Sequence, residues 1–392
     1  MHAAHQTRNV MVLAACQALS MSGSVMVFAV VALAGKALAP APHLTTLPLG
    51  VTFLSLMLST VPASLAMGRL GRRAGFTLGQ AIGVLGAGAS AWALLSGSFW
   101  GFAAAAVPIG VHNAFFQYLR FAAADTATPE FRPRAISYVM AGGVVAGFLG
   151  PELAQRTAEA LPVTYAGAYA ALAGLCLLNI VALQLVRIPR PHRAEARSGG
   201  RSVLAIARQP VFMVAALSAM VGYGVMNLVM VATPLAMAGC GFGFTDSTEV
   251  IRAHVLGMFV PSFFTGHLVR RFGVLRVIGT GAVLLLASLG VNLAGTAFAN
   301  FWVALVLLGI GWNFTFVGGT TLLLDAHGPE EKARTQAMND LLVFTTTATT
   351  SFASGAVQNT LGWQAVNALS AVPVLLVLAA VVWLGARTSG PH

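Results

Sequence analysis

The chain is a succession of long apolar runs, separated by short stretches that hold nearly all of its charge. The runs fall near residues 10 to 34, 45 to 67, 76 to 97, 99 to 119, 136 to 155, 164 to 186, 211 to 238, 250 to 268, 274 to 296, 300 to 323, 338 to 358 and 364 to 386. A helix of about 20 apolar residues crosses the hydrocarbon of a bilayer, whereas outer-membrane barrel strands are about ten residues of alternating polarity. Asp, Glu, Lys and Arg make up only 8% of the chain, against about 25% in soluble domains. An ordinary soluble domain is excluded, and the expected fold class is an all-α membrane protein of twelve transmembrane helices.

The 22 Lys and Arg outnumber the 11 Asp and Glu, but they lie between apolar runs and form no basic soluble face, so nucleic acid is not an expected partner. With both termini in the cytoplasm, all of those cations except Lys36, Arg156 and Arg252 fall on the inner side, as the positive-inside rule requires. The opening MHAAHQTRNV leads into an unbroken apolar run with no small-residue cleavage site, so it reads as the first span and not as a removable signal. Cys16, Cys176 and Cys240 lie far apart in or beside apolar helices, and no disulfide framework can be read from them.

Self-comparison shows a tandem repeat. GRLGRRAG at residues 68 to 75 returns as GHLVRRFG at 266 to 273, so Gly68, Arg72, Arg73 and Gly75 correspond to Gly266, Arg270, Arg271 and Gly273. Asp125, Pro129, Glu130, Arg132 and Arg134 correspond in the same way to Asp325, Pro329, Glu330, Lys332 and Arg334. The expected organisation is a six-helix bundle over 1–187, a cytoplasmic linker over 188–210 and a second six-helix bundle over 211–392 that carries the proposed metal site. In the first pair of loops the glycines permit a tight turn and the arginines anchor the cytoplasmic side. In the second pair, Asp125, Arg134, Asp325 and Arg334 are expected to form inter-helix salt bridges that stabilise one gate state.

The GxLxRRxG loop between spans two and three resembles the signature loop of the major facilitator superfamily. That resemblance implies a parallel-repeat carrier with its site at the midplane between the halves. Gly71 and Val269 stand where the signature usually has an acidic residue, so its charge relay is not expected here.

Coordinating side chains within spans are functional candidates, because burying them in hydrocarbon is costly. Span seven carries Met226, Met230, Met237 and Cys240, which fall on one stripe of a helix at 100° per residue. In span eight His254 and Met258 are four apart and share a face. Thioether and imidazole without carboxylate suit Cu(I), although methionine is also a common filler of apolar cores. Pro234 and Pro261 interrupt the hydrogen-bond ladders of these two spans, and broken helices mark transport sites. Met237 and Cys240, toward the outer face, would load the ion.

These stretches resemble the CcoA-type copper importers, which bring copper into the bacterial cytoplasm for cytochrome oxidase assembly. The resemblance implies that Met226, Met230, His254 and Met258 carry copper, with Cys240 as helper. Copper is then cargo and not a prosthetic group, and its release calls for a cytoplasmic thiol acceptor.

Glu152 follows a GxxxGxxGP stretch that resembles the fifth-span motif of proton-coupled drug exporters, although Ala154 and Gln155 replace its closing glycines. Glu152, with Asp340 at the start of span eleven, is a candidate for proton coupling, and helix capping is the other reading of Glu152. His112, Asn113 and Asn313 read as helix packing or pathway lining. There is no GxxxxGK[ST] phosphate loop, and His254 has no acid or serine partner on its helical face, so neither an ATP-driven pump nor an enzyme is expected. The reading is a secondary copper importer of the bacterial inner membrane. The alternative is a proton-coupled exporter of a small organic compound or drug.

Overall fold

The computed structural model describes residues 2–128, 131–186, 188, 200–328 and 330–388. Pro129, Glu130, Pro329 and residues 189–199 of the expected linker lie outside the described residues, and the linker's described part includes a short helix, Val203–Ala207. Regular structure among the described residues is helical. The chain divides into two compact units, Met1–Arg193 with Ser247–Arg252, and Ala194–Asp246 with Ala253–His392.

The first unit holds α1 (His2–Leu38), α2 (Leu47–Leu70), α3 (Arg72–Leu95), α4 (Phe99–Phe116), α5 (Leu119–Asp125), α6 (Arg132–Thr157) and α7 (Ala166–Gln184). Pro48 starts α2 where a backbone donor is not needed, and the Ser98 hydroxyl caps α4 by accepting from the Gly101 N–H at 3.1 Å. α1 packs on α6 and α7, α2 on α4, and α3 on α4 and α7. Small residues set these approaches: a Cβ on Gly142 of α6 would lie 2.9 Å from the Ala18 nitrogen of α1. Ser247–Arg252 joins this unit through specific polar contacts. The Gln155 amide donates to the Thr248 hydroxyl at 2.5 Å, and Arg252 pairs with Glu152.

The second unit holds α8 (Val203–Ala207), α9 (Pro210–Gly239), α10 (Phe244–Phe259) apart from Ser247–Arg252, α11 (Ser262–Phe272), α12 (Val274–Ala294), α13 (Phe298–Leu322), α14 (Lys332–Thr360) and α15 (Gly362–Thr388). α9 lies against α13, α14 and α15, and α12 against α13 and α15. Among the described residues nine helices are long and apolar enough to cross a membrane. The three remaining expected spans correspond to α6, to α10 with α11, and to α14. The eighth span is divided because Pro261 has no N–H to donate, so that α10 stops at Phe259 and α11 starts at Ser262. α14 is rich in Thr and Ser, which lower its hydropathy. Pro234, by contrast, sits inside a helix that runs on to Gly239.

The turn glycines differ from the expectation. α2 passes into α3 at Gly71 (φ 89°, ψ 155°), and α11 into α12 at Gly273 (φ 87°, ψ 149°). Both positions are in the left-handed region that glycine enters without steric cost. In the sequence match Gly273 corresponds to Gly75, but Gly75 lies within α3, seated against the Met67 side chain. Gly68 and Gly266 are inside helices with no atom near enough to restrict them. The bend of this loop, where glycine takes a positive φ, therefore falls four residues earlier in the first repeat than the motif indicates.

Candidate functional site

The four expected copper ligands lie in the second unit, all buried, two on α9 and two on α10. Met237 is buried as well, whereas Cys240, just past the end of α9, is exposed. His254 Nδ1 is 2.8 Å from the Leu305 carbonyl oxygen of α13. A carbonyl only accepts, so Nδ1 carries the proton and Nε2 presents a lone pair. Nε2 is buried with no hydrogen-bond partner among the described residues. The imidazole thus belongs to the contact between α10 and α13, which is close because Gly309 has no Cβ to meet the His254 carbonyl and the Met258 nitrogen. Among the described residues no group of three or more His, Cys, Asp or Glu could hold a metal ion. In the first unit Cys176 Sγ lies 4.0 Å from His112 Nε2, and His112 Nδ1 donates to the Gly79 carbonyl at 3.1 Å.

Of the expected gating residues, Arg72 and Asp125 are brought together at 2.5 Å. Asp325 and Arg134 are exposed, and Arg271 rests over the Phe272 ring at 5.3 Å. The second unit centres its ion pairs on Glu331, a residue that sequence reasoning missed. Its carboxylate accepts from the Arg201 backbone N–H (2.6 Å), Nε (3.0 Å) and guanidinium terminus (2.7 Å). Arg334 stands 4.0 Å away. Arg201 also donates to the Ala326 carbonyl at 3.0 Å and to Gln209 at 3.0 Å, closing a clamp between the segment that precedes α8 and the loop that precedes α14.

Hydrogen bonds from the Arg201 side chain and backbone pull the Glu331 carboxyl down from 4.5 to about 2. A folded-state value below the unfolded one makes the clamp fully stabilising above about pH 4.5 and progressively lost as pH falls toward 2. Glu331→Gln is expected to unfold at a lower temperature than the parent at pH 7, with the gap closing between about pH 4.5 and 2. Thermal unfolding in detergent across that range checks this, and a gap that does not change with pH contradicts it.

Glu152 accepts from Arg156 Nε at 2.6 Å and lies 3.4 Å from Arg252, which in turn pairs with Glu249 at 2.9 Å. α6 continues to Thr157, so Glu152 is not a terminal cap. It is one member of a four-residue chain of alternating charge. Asp340 is an exposed residue of α14, with the Asn339 amide 3.4 Å from its carboxylate.

A second arrangement in this unit is legible only in three dimensions. Tyr223 of α9, Phe259 at the end of α10, and Trp312 and Phe316 of α13 form one aromatic group. Trp312 and Phe316 stand one helical turn apart and so share a face. Their rings are 5.2 Å apart and 11° from parallel. Tyr223 meets both edgewise at 5.7 and 5.3 Å, and Phe259 meets Trp312 at 6.1 Å. Gly222 brings α9 in by leaving room for the Thr315 hydroxyl of α13, and Gly309 does the same for α10. Asn313 holds the broken span: its amide donates to the Met258 carbonyl at 2.8 Å and to the Ser262 hydroxyl at 2.6 Å, and its oxygen accepts from Thr265 at 2.6 Å. On α9, Tyr223, Met226 and Met230 follow i, i+3, i+7 spacing and face the same way. The methionine stripe is therefore also the flank of an aromatic surface. The WxxxF pair in span ten and the proline break in span eight were the available sequence signals.

A family model for the Major Facilitator Superfamily matches residues 13–251 and 250–392. The riboflavin transporter RfnT of Brucella anthropi is 37% identical over 374 residues, covering 95% of this chain and 94% of that protein. YddS, an uncharacterised transporter of the same superfamily type from Bacillus subtilis, is 30% identical over 80% of this chain and 76% of its own length. In fold, the chain is similar to a bacterial homologue of the human lysosomal transporter Spinster, with a TM-score of 0.75 and 12% identity over 98% of this chain and 97% of that one. The human organic anion transporter MFSD10 gives a TM-score of 0.68 and 16% identity over 96% and 99%. The copper-importer resemblance of spans seven and eight finds no support among these relatives. This chain belongs to the Major Facilitator Superfamily and is a multi-pass membrane transporter, not an enzyme.

Proposed function

We propose that the protein moves a small planar organic solute of the flavin class across the bacterial inner membrane by alternating access, with both termini in the cytoplasm. One observation carries the cargo assignment: the 37% identity with a riboflavin transporter over nearly the full length of both chains. The aromatic and methionine-rich surface of the second unit is chemically suited to such a solute, since flat rings stack on aromatic faces and thioethers adapt to apolar shapes. Orientation rests on the cations, of which only Lys36, Arg156 and Arg252 would face outward.

Copper remains the second reading because of one feature, the buried Nε2 lone pair of His254 on a helix that also carries Met258. The two cargoes separate in a single experiment. A strain that requires external riboflavin and has no uptake system of its own is supplied with this chain, and labelled riboflavin and copper are followed in parallel cultures. Riboflavin accumulation well above the empty-vector control, with copper unchanged, is the expected result. Copper accumulation that falls in Met226→Leu, with no riboflavin signal, would favour the metal reading.

A further inference from the structure

We propose that Tyr223, Phe259, Trp312 and Phe316 form the stacking site for a planar heteroaromatic ring with hydrogen-bond acceptors on its rim, and that the Trp312 indole N–H donates to one of them. The inference rests on the organic-solute reading above and names the residues that hold the ring.

Four observations converge. The group contains a nearly parallel ring pair, Trp312 and Phe316, bordered edgewise by Tyr223, and a further ring could stack on its half-buried members, Phe316, Tyr223 and Phe259. Trp312 Nε1 is buried with no partner among the described residues, on a residue only 6% exposed. A buried donor without an acceptor is costly, and phenylalanine could have supplied the same stacking surface without it. Tyr223, Phe259 and Phe316 are only half-buried, so the group is not sealed within the unit. Lastly, Phe259 is the final residue before the break at Val260 and Pro261, and non-helical backbone within membrane spans is characteristic of solute sites.

A ring-edge acceptor would complete the hydrogen bond that Trp312 lacks, and the site would then discriminate against rings with no such acceptor, because binding them leaves the indole unpaired. Met226 and Met230, on the same face of α9 as Tyr223, extend the surface with polarisable apolar groups. Trp363 supplies a contrast. Its indole N–H is also buried without a partner among the described residues, but Trp363 packs on Phe301 of α13 beside the turn that joins α14 to α15, between two spans and not at a break within one.

The test uses purified full-length protein in lipid nanodiscs and three probes: riboflavin, alloxazine as the ring without the polyol chain, and ribitol as the chain without the ring. Binding of the two ring compounds is read from quenching of their fluorescence, and ribitol is tried as a competitor. Riboflavin and alloxazine are expected to bind and ribitol not to compete. Trp312→Phe, which keeps a ring and removes the donor, is expected to weaken ring binding about tenfold. Phe316→Leu is expected to do so to a similar extent, about tenfold. Trp363→Phe is expected to match the parent. Elution volume and unfolding temperature confirm that each variant is folded, and Tyr223→Leu replaces any that is not.

If riboflavin binds the parent and all the aromatic-group variants equally well, the stacking site is overturned while the flavin reading stands. If alloxazine binds in a Trp312-dependent way but cells accumulate no riboflavin, the site is upheld and the flavin cargo fails. If neither ring compound binds the parent, both are overturned.

Discussion

Gly309→Leu is expected to yield a second unit that does not assemble. An ideal Cβ at this position meets the His254 carbonyl and lies 2.9 Å from the Met258 nitrogen and 3.0 Å from the Gly257 carbonyl carbon. All of these are backbone atoms of α10, so no side-chain rotation relieves the overlap, and the two helices must separate. Overpacking in a tight core costs about 1–3 kcal/mol and occasionally more, and a clash with backbone belongs at the top of that range. At roughly 2–4 °C per kcal/mol for a unit of this size, a fall of about 10 °C in unfolding temperature, or loss of recoverable protein, is the expected result. Gly290→Ala is the matched control: that glycine is exposed on α12 with nothing within 4 Å of the new Cβ, and alanine is the better helix former. Equal unfolding temperatures for the two variants would contradict the close approach of α10 and α13.

Asn313→Leu is expected to have the second large effect. The Asn313 amide occupies the acceptor of Met258, at the point where Pro261 has interrupted the helix ladder, and ties it to Ser262 and Thr265. Leucine fills about the same volume and makes none of these bonds, leaving the Met258 carbonyl and the Ser262 hydroxyl to find partners at membrane depth, while Thr265 keeps the Pro261 carbonyl at 2.8 Å. Each unsatisfied buried group costs about 1–3 kcal/mol, although measured side-chain hydrogen bonds in membranes average nearer 0.6 kcal/mol. A destabilisation of about 2–4 kcal/mol follows, together with a loss of transport, since the break positions Phe259. The counterpart change Asn113→Leu, at a half-buried site, is expected to be milder. Unfolding temperature and solute uptake, measured on the same preparations, check both statements.

The helical architecture was readable from sequence because apolar run length is a property of the chain itself. The tandem repeat was readable for the same reason. The turn residues were less so: Gly75 and Gly273 match in the motif, yet the bend falls at Gly71 in one repeat and at Gly273 in the other. Helix ends are set by local capping and packing, which an eight-residue pattern does not encode. The clamp of Arg201 on Glu331 joins residues 130 positions apart, and no spacing rule connects them. The methionine stripe shows a different limit. Helical spacing places Met226 and Met230 on one face, but a face of thioethers serves a soft ion and an apolar ring equally well. The distinction comes from what stands beside them, namely Tyr223 on the same helix and, through it, the rings of Trp312, Phe316 and Phe259. Those four aromatics come from three helices and become neighbours only when the unit is packed.

Exchange of labelled riboflavin into liposomes preloaded with unlabelled riboflavin, catalysed by the purified protein, separates a ring carrier from a metal carrier and needs neither a known direction of transport nor a known coupling ion. The comparison is between the parent and the double variant Met226→Leu with Met230→Leu, which removes both sulfurs at little cost in packing, below about 1.5 kcal/mol for each such swap. Recognition of a flat organic ring predicts exchange by the parent and retention of it within about twofold in the double variant, since an apolar surface survives the swap. Absence of riboflavin exchange in the parent, together with copper entry that disappears in the double variant, would contradict it.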